Sequence, residues 1–224
     1  MKILITDDDP LILDSLAELL ELEGFSPIKA NNGQEAIHLW KNQKPDLVCL
    51  DIMMPVMDGY QVCKTIRKTD PHTPILFLSA KNQELDVIAG LDLGADDFIR
   101  KPFSAHEVLA RIRSALRRAK PQHSHETLIL KNLTIFPEQL RAERNNVSID
   151  LTPREVNILS LLHEMANAPV SRDTLLDRCW GVNYFPDSRT LDQHISILRK
   201  KIQTKPHDPE IITTVRSIGY TFRT

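Results

Sequence analysis

The chain has 224 residues, enough for two domains that each bury a core, and its 42% hydrophobic and 26% charged composition is that of a soluble globular protein. No apolar run approaches the ~20 residues that cross a bilayer, and the strand-like start Lys2-Ile3-Leu4-Ile5 reads as no signal peptide, so a cytoplasmic protein with no membrane partner is expected. Three scattered cysteines, Cys49, Cys63 and Cys179, exclude a disulfide framework and a zinc knuckle, and Cys49 in its apolar run reads as core.

Net charge is −2, unevenly divided: residues 1–125 carry 15 Lys+Arg against 18 Asp+Glu, residues 126–224 carry 13 against 12. Neither half is globally basic, so any nucleic-acid contact must come from where the charges sit.

In chain order, Ile3–Ile5, Pro27–Ala30, Leu47–Leu50, Ile75–Leu78 and Phe98–Ile99 read as five strands. The third and fourth are continuously apolar, as strands covered on both faces must be. Amphipathic helices alternate with them. One opens at Asp9-Pro10 and carries Leu13, Leu16, Ala17 and Leu20; another opens on a Ser104/Glu107 capping box and carries Val108, Ile112 and Ala115. Such alternation predicts an α/β, doubly wound, five-stranded parallel sheet over residues 1–119. Lys120-Pro-Gln-His-Ser-His125 breaks the rhythm and marks a linker over 120–126, in which His123 and His125 read as solvated. Residues 127–224 predict a second, α+β domain. Short alternating strands fill 127–149, a capping box Thr152-Pro-Arg-Glu155 opens a helix, two helices span roughly 171–180 and 187–203, and a terminal hairpin turns at Ser217-Ile-Gly219.

Acids collect where the predicted strands end: Asp7 and Asp8 after the first, Asp51 after the third, with Ser79 after the fourth and Lys101 after the fifth. In an open parallel sheet these ends share one edge, where ligands bind. Three carboxylates held together there repel unless a cation joins them, and hard oxygen ligands suit Mg²⁺ or Mn²⁺. A carboxylate beside a metal and an ammonium is equipped to take a phosphoryl group. Asp51, with its apolar strand and tight Met53-Met54-Pro55 sequel, is the expected acceptor, with Lys101 as counter-charge and Ser79 as a hydroxyl that turns inward afterwards.

With these motifs, residues 1–119 resemble the CheY-like receiver domain of two-component response regulators: Asp7-Asp8, Asp51 before Met-Met-Pro-x-Met-Asp-Gly59, Ser79-Ala80 and Lys101-Pro102-Phe103. The resemblance implies that Asp8, Asp51 and the Met53 carbonyl hold the metal directly and Asp7 through water. It implies a sensor histidine kinase as phosphate source, a cis Lys101–Pro102 bond, and Phe98 as an aromatic switch beside Ser79; without the family Phe98 reads as core. It implies no enzyme acting on a separate substrate, only a receiver that catalyses its own phosphotransfer and dephosphorylation. An aspartyl-phosphate phosphatase is the rival class, but it carries its nucleophile on the first strand.

Family members pair as activated homodimers through the fourth helix, fifth strand and fifth helix, which here implicates Asp97 with Arg111, Asp92 with Arg113, Asp96 with Arg118, and Glu107. By themselves these read as solvated surface charges worth little each. Val87 stands where a basic partner for Glu107 is typical, so a weaker or altered dimer is expected.

Residues 127–224 resemble the winged helix-turn-helix output domain of OmpR/PhoB-type regulators, through Leu151-Thr-Pro-Arg-Glu155, Trp180-Gly181, Asp187–Ile195, Leu198-Arg-Lys-Lys201 and Thr214–Phe222. Double-stranded promoter DNA is the implied partner, with RNA polymerase as a further one. Arg189 at one end of the 187–203 helix, Arg199, Lys200 and Lys201 at the other, and Arg216 in the hairpin suit phosphate and minor-groove contacts. Ser196 and Ile197 stand among the implied DNA contacts at positions where family members often have arginines, shifting base reading to Thr190 and Gln193. Trp180 reads as a backbone contact or a core indole, and Asp192 and His194 as helix packing. The expected function is a phosphorylation-dependent DNA-binding transcription regulator; the alternative binds DNA independently of phosphorylation or acts through protein partners.

Overall fold

The computed structural model describes residues 1–79, 90, 93–119, 126–181 and 189–224, apart from the side chains of residues 118, 119, 189 and 190. The chain divides into two compact units, Met1–Ala119 and Lys120–Thr224. The predicted linker up to His125, Val87, Asp92, Asp187 and Ser188 lie outside the described residues, as do the side chains of Arg118, Arg189 and Thr190.

In the first unit β1 (Lys2–Thr6), β2 (Ser26–Ala30), β3 (Leu47–Asp51), β4 (Ile75–Ser79) and β5 (Asp97–Arg100) form one sheet in the order β2-β1-β3-β4-β5. All four pairings are parallel. β3 and β4 are buried at every residue, as their unbroken apolar runs require. Ile3, Ile5, Leu47, Cys49, Leu76, Leu78 and Ile99 cluster with the apolar faces of helices Pro10–Leu22 and Ala105–Ala119. The first helix buries the predicted Leu13, Leu16, Ala17 and Leu20, and its Asp9 cap accepts from the Leu11 amide at 2.9 Å. Ser104 caps the Glu107 amide at 3.1 Å.

The segment after β3 is tight for two reasons. Asp58 caps helix Gly59–Arg67 by accepting from the Gln61 amide at 2.8 Å. The helix then starts directly against the acceptor strand, since any Cβ at Gly59 would collide with the Asp51 carbonyl oxygen. Only glycine permits that approach.

The second unit holds an antiparallel sheet of β6 (Leu128–Leu130), β7 (Leu133–Phe136), β8 (Arg141–Arg144) and β9 (Val147–Asp150). Helices Pro153–Glu164, Arg172–Cys179 and Arg189–Ile202 follow, with β10 (Val170–Ser171) between the first two; β11 (Thr213–Val215) and β12 (Gly219–Thr221) come last, and the three strands pair in the order β10-β12-β11. The predicted capping box is formed in both directions: Thr152 Oγ1 accepts from the Glu155 amide at 3.3 Å and Glu155 accepts from the Thr152 amide at 2.7 Å. The predicted hairpin is β11–β12, with Ser217 at φ +60° in its turn. Leu133, Ile135, Val156, Leu159, Leu175, Leu191, Ile195, Leu198, Tyr220 and Phe222 share one core. Burial of that apolar area, at roughly 25 cal/mol per Å², is what holds the three helices on the sheets.

Between the last helix and β11, Asp208 organises the backbone. It accepts from the Thr204 and Lys205 amides at 3.0 and 2.8 Å, the Thr204 hydroxyl at 2.9 Å and the Asn145 amide at 2.8 Å. Burial alone would raise its carboxyl, but these bonds and Arg144 bring it down to about 2. A carboxylate depressed on folding stabilises fully above its unfolded value, and that stability is lost as pH falls toward the folded one. Asp208→Asn is therefore expected to lower the thermal midpoint of this unit at neutral pH. The difference from wild type should vanish as pH approaches 2, which differential scanning calorimetry at both conditions checks.

Candidate functional site

The edge reached by the C-terminal ends of β1, β3, β4 and β5 gathers the predicted groups. Asp7 follows β1, Asp51 ends β3, Ser79 ends β4 and Lys101 follows β5. The Lys101 ammonium sits between two carboxylates, donating to Asp7 Oδ2 at 2.6 Å and lying 3.0 Å from Asp51 Oδ1. Asp7 and Asp51 are almost fully buried while Asp8 is exposed, and one oxygen from each of the three falls within 4.8 Å of the others. The backbone fixes the flanks: the Asp9 amide donates to Asp7 Oδ1 at 3.1 Å and the Lys101 amide to the Ser79 carbonyl at 2.8 Å. The Lys101–Pro102 bond is cis.

Three carboxylates against one ammonium leave this pocket net negative, and the titration of its members follows. Burial pushes the Asp51 carboxyl up; Lys101 opposes this, and repulsion from Asp7 and Asp8 adds to it. Burial would lower Lys101, but its bonds to Asp7 and Asp51 outweigh that and raise it. The Asp51 shift is chiefly the cost of burial, while the Lys101 shift reflects the carboxylates around it; hard oxygen donors this close together fit a divalent cation of the Mg²⁺ class. Ser79 is fully buried. Phe98 is buried as well, its ring 6.4 Å from Phe77, which in turn meets Tyr60 edge-on at 5.4 Å. Met53 is exposed.

In the second unit the helix Arg189–Ile202 and the β11–β12 hairpin carry the expected contact residues. Ser196, Lys200 and Arg216 are exposed and Gln193 is half-buried. Ile197 is only 9% exposed, so it faces the protein and not a groove, a correction to the sequence reading. Arg199 and Lys201 are exposed in part but engaged. Arg199 donates to the Ile212 carbonyl at 2.8 Å and to Thr214 Oγ1 at 2.9 Å, and Lys201 donates to buried Glu155 at 2.8 Å. Trp180 is a core indole, with the Arg154 guanidinium 4.4 Å above its ring and His194 edge-on at 5.0 Å. Asp192 is exposed and links helix to hairpin, accepting from the Tyr220 hydroxyl at 2.5 Å and Arg172 at 3.2 Å.

Residues 3–113 match the family described as the response regulator receiver domain, and residues 145–222 the family described as transcriptional regulatory protein, C terminal. The chain belongs to the OmpR/PhoB family of response regulators. It is 37% identical over 230 residues to the alkaline phosphatase synthesis transcriptional regulatory protein SphR of Synechococcus elongatus, covering 98% of this chain and 90% of that one. DrrB, described as a Thermotoga maritima OmpR/PhoB homologue, is similar at 30% identity and a TM-score of 0.53, covering 100% and 99% of the two chains. A mutant form of RitR shares the fold at a TM-score of 0.75 and 24% identity, covering 99% of this chain and 98% of its own.

For this response regulator, three of the charges assigned by resemblance to receiver pairing, Asp96, Asp97 and Arg111, are buried where the sequence expectation was solvated surface groups, while Arg113 is exposed as expected. Asp97 and Arg111 are both buried, 3.2 Å apart, and Arg111 also donates to Glu107 at 2.8 Å. Asp96 is buried against Arg67 at 3.0 Å and accepts from the Ile75 amide at 2.9 Å. Arg113 pairs with Glu23 at the end of the first helix. Carboxylates this buried persist only when charge and hydrogen bonds compensate them, which is what Arg111 and Arg67 supply. Arg67 was not singled out in the sequence, yet it also donates to the Gly94, Asp70 and Thr73 carbonyls. A helix-terminal arginine followed by Asp70, a turn former, was its only signal.

Relieving the pocket's negative excess should stabilise it without metal. Asp51→Asn is expected to raise the receiver's unfolding midpoint in chelator by about 2–4 °C and to shrink the upward shift that Mg²⁺ gives wild type. Thermal scans with and without Mg²⁺ check both, and an undiminished Mg²⁺ shift in the variant would refute the assigned pocket.

Proposed function

We propose that the chain is a phosphorylation-dependent transcription regulator in which Asp51 accepts a phosphoryl group from a sensor histidine kinase in a Mg²⁺- or Mn²⁺-dependent reaction, promoting receiver dimerisation and promoter binding. The observation that carries this reading is the Asp51 carboxylate held 3.0 Å from the Lys101 ammonium beside Asp7 and Asp8. The metal would be held by Asp8, Asp51 and the Met53 carbonyl, with Asp7 through water; when bound it supplies charge neutralisation for the phosphoryl oxygens.

Asp51 supplies the nucleophilic oxygen: an oxygen–phosphorus bond forms as the bond from phosphorus to the donor's leaving group breaks. Gly59 keeps the following helix pressed on the acceptor strand, so the carboxylate is held still for an in-line approach. Lys101, freed from part of its pairing with Asp51, moves its charge onto the new phosphoryl oxygens. Ser79 then offers its hydroxyl from the adjacent strand end, and Phe98, already buried two rings from Tyr60, repacks with it. Water attack on the same phosphorus would return Asp51 in the dephosphorylation the receiver performs on itself.

Pairing of two receivers would draw on Asp92, Asp96, Asp97, Glu107, Arg111, Arg113 and Arg118. Since Asp97–Arg111 and Asp96–Arg67 are closed within one chain, association has to recruit or exchange these pairs and not find them free. In the DNA-binding unit, Gln193 and Thr190 would read base edges while Lys200, Arg189 and Arg216 meet phosphates and the minor groove. RNA polymerase is the further partner this reading assigns.

Incubation with Mg²⁺ and a small phosphodonor followed by intact mass is expected to add one phosphoryl group to wild type and none to Asp51→Ala. Addition to both, or to neither, would overturn the acceptor assignment and favour phosphorylation-independent DNA binding. Sedimentation of the phosphorylated chain is expected to show a dimer at tens of micromolar, roughly −6 kcal/mol of association; a monomer there would remove dimerisation from the mechanism.

A further inference from the structure

The helix Arg189–Ile202 that presents the candidate DNA contacts ends without a glycine, and the last carbonyls of any helix lack intrahelical partners. Arg144, at the end of β8, provides one. It is only 2% exposed, among the largest fully buried side chains described in the molecule. Its Nη1 donates to the Ile202 carbonyl at 2.8 Å, its Nε to Asn132 Oδ1 at 2.9 Å and its Nη2 to the Pro209 carbonyl at 2.5 Å. The Asp208 carboxylate lies 3.7 Å from Nε and balances the charge. Three segments therefore meet on one rigid fork: the turn between β6 and β7, the end of the helix, and the stretch that leads into β11.

Apolar burial already keeps this helix on the domain. Leu191, Ile195, Leu198 and Ile202 lie in the shared core, and that attraction is non-directional. It resists removal of the helix far more than it resists small slides and turns that keep the apolar row covered. Directional bonds fix those coordinates, and a guanidinium places its donors in a fixed plane. Beside it Arg199 ties the last turn to the Ile212 carbonyl and Thr214 at the start of the hairpin. Helix end and hairpin stem are thereby joined through two arginines. Arg144 itself is too deeply buried to touch a nucleic acid.

We propose that Arg144 is a positioning residue for DNA binding, setting the placement of the Arg189–Ile202 helix relative to the β11–β12 hairpin so that both reach the duplex together. The proposal rests on the reading that helix and hairpin both engage DNA. A site spread over two elements tolerates displacements of only about 0.5 Å, so loosening this anchor costs fit without removing any contact group.

The test uses the full chain and two probes: a duplex selected from a random pool by wild type, and a random-sequence duplex. Dissociation constants are measured across a salt series, well below the unfolding midpoint of each variant. Arg144→Gln is expected to weaken binding to the selected duplex about tenfold, one base pair's worth of fit, while the slope of log affinity against log salt stays at the wild-type value. Binding to the random duplex should change little, and Arg144→Lys should recover part of the loss. Lys200→Ala, by contrast, should reduce the salt slope by about one. Wild-type affinity in folded Arg144→Gln would overturn the proposal, leaving Arg144 a stability residue; a reduced salt slope would overturn it as a phosphate contact. Should Arg144→Gln fail to fold, Arg144→Lys decides alone, with weakened selected-duplex binding supporting the proposal and wild-type affinity refuting it. A wild-type chain that selects no motif and binds neither duplex would instead overturn the DNA-binding reading underneath.

Discussion

Repulsion among three carboxylates at one sheet edge is the constraint around which the receiver is built. Left alone, Asp7, Asp8 and Asp51 would not stay together, and one lysine from the neighbouring strand end offsets only part of their charge. What keeps them in place is the sheet itself, whose central strands β3 and β4 are buried at every position and cannot move their ends without exposing the core. The energy that assembles an uncomfortable cluster thus comes from burial elsewhere. The cluster in return is primed for added positive charge.

The DNA-binding unit solves a different problem with similar means. Its candidate contacts sit on a helix and a hairpin from different parts of the chain, and charged side chains connect the two from within. Asp192 reaches Tyr220 and Arg172 across the β10–β12–β11 sheet, and burial together with that carboxylate pushes the Tyr220 hydroxyl up to about 12, keeping it protonated as a donor. Several residues that look from the sequence like phosphate contacts spend part of their bonding on the fold. Arg199 and Lys201 are the clearest cases.

The pattern of elements was legible because its causes are local. Asp9-Pro10, Asp58-Gly59 and the Thr152/Glu155 box announce helix starts through the bonds their side chains make, and two continuous apolar runs announce strands covered on both faces. The pocket was legible for a topological reason, since parallel strands deliver their final residues to one edge. Long-range pairing was not. Asp97 and Arg111 are 14 positions apart, Arg67 and Asp96 are 29 apart, and nothing in either neighbourhood distinguishes a buried pair from two solvated charges. Arg144 did leave a trace that went unread: it follows Leu140 and Ala142 at every second position, on the inward row of its strand. Ile197 misled because it was matched to a family position, and the helical repeat of Leu191, Ile195, Leu198 and Ile202 gave no warning, since Ile197 is not on that row although it is buried.

The helix Arg189–Ile202 divides its duties by face. Leu191, Ile195, Leu198 and Ile202 do the anchoring, while Ser196 and Lys200 project outward and Gln193 lies at the margin. Among the described residues Ser196 and Lys200 take no part in the core, so they are open to replacement without unfolding the domain. If this outward face is the one that meets DNA, a gene copy of such a protein needs few steps to acquire a new set of targets, because that face is separate from the interior that keeps the helix standing.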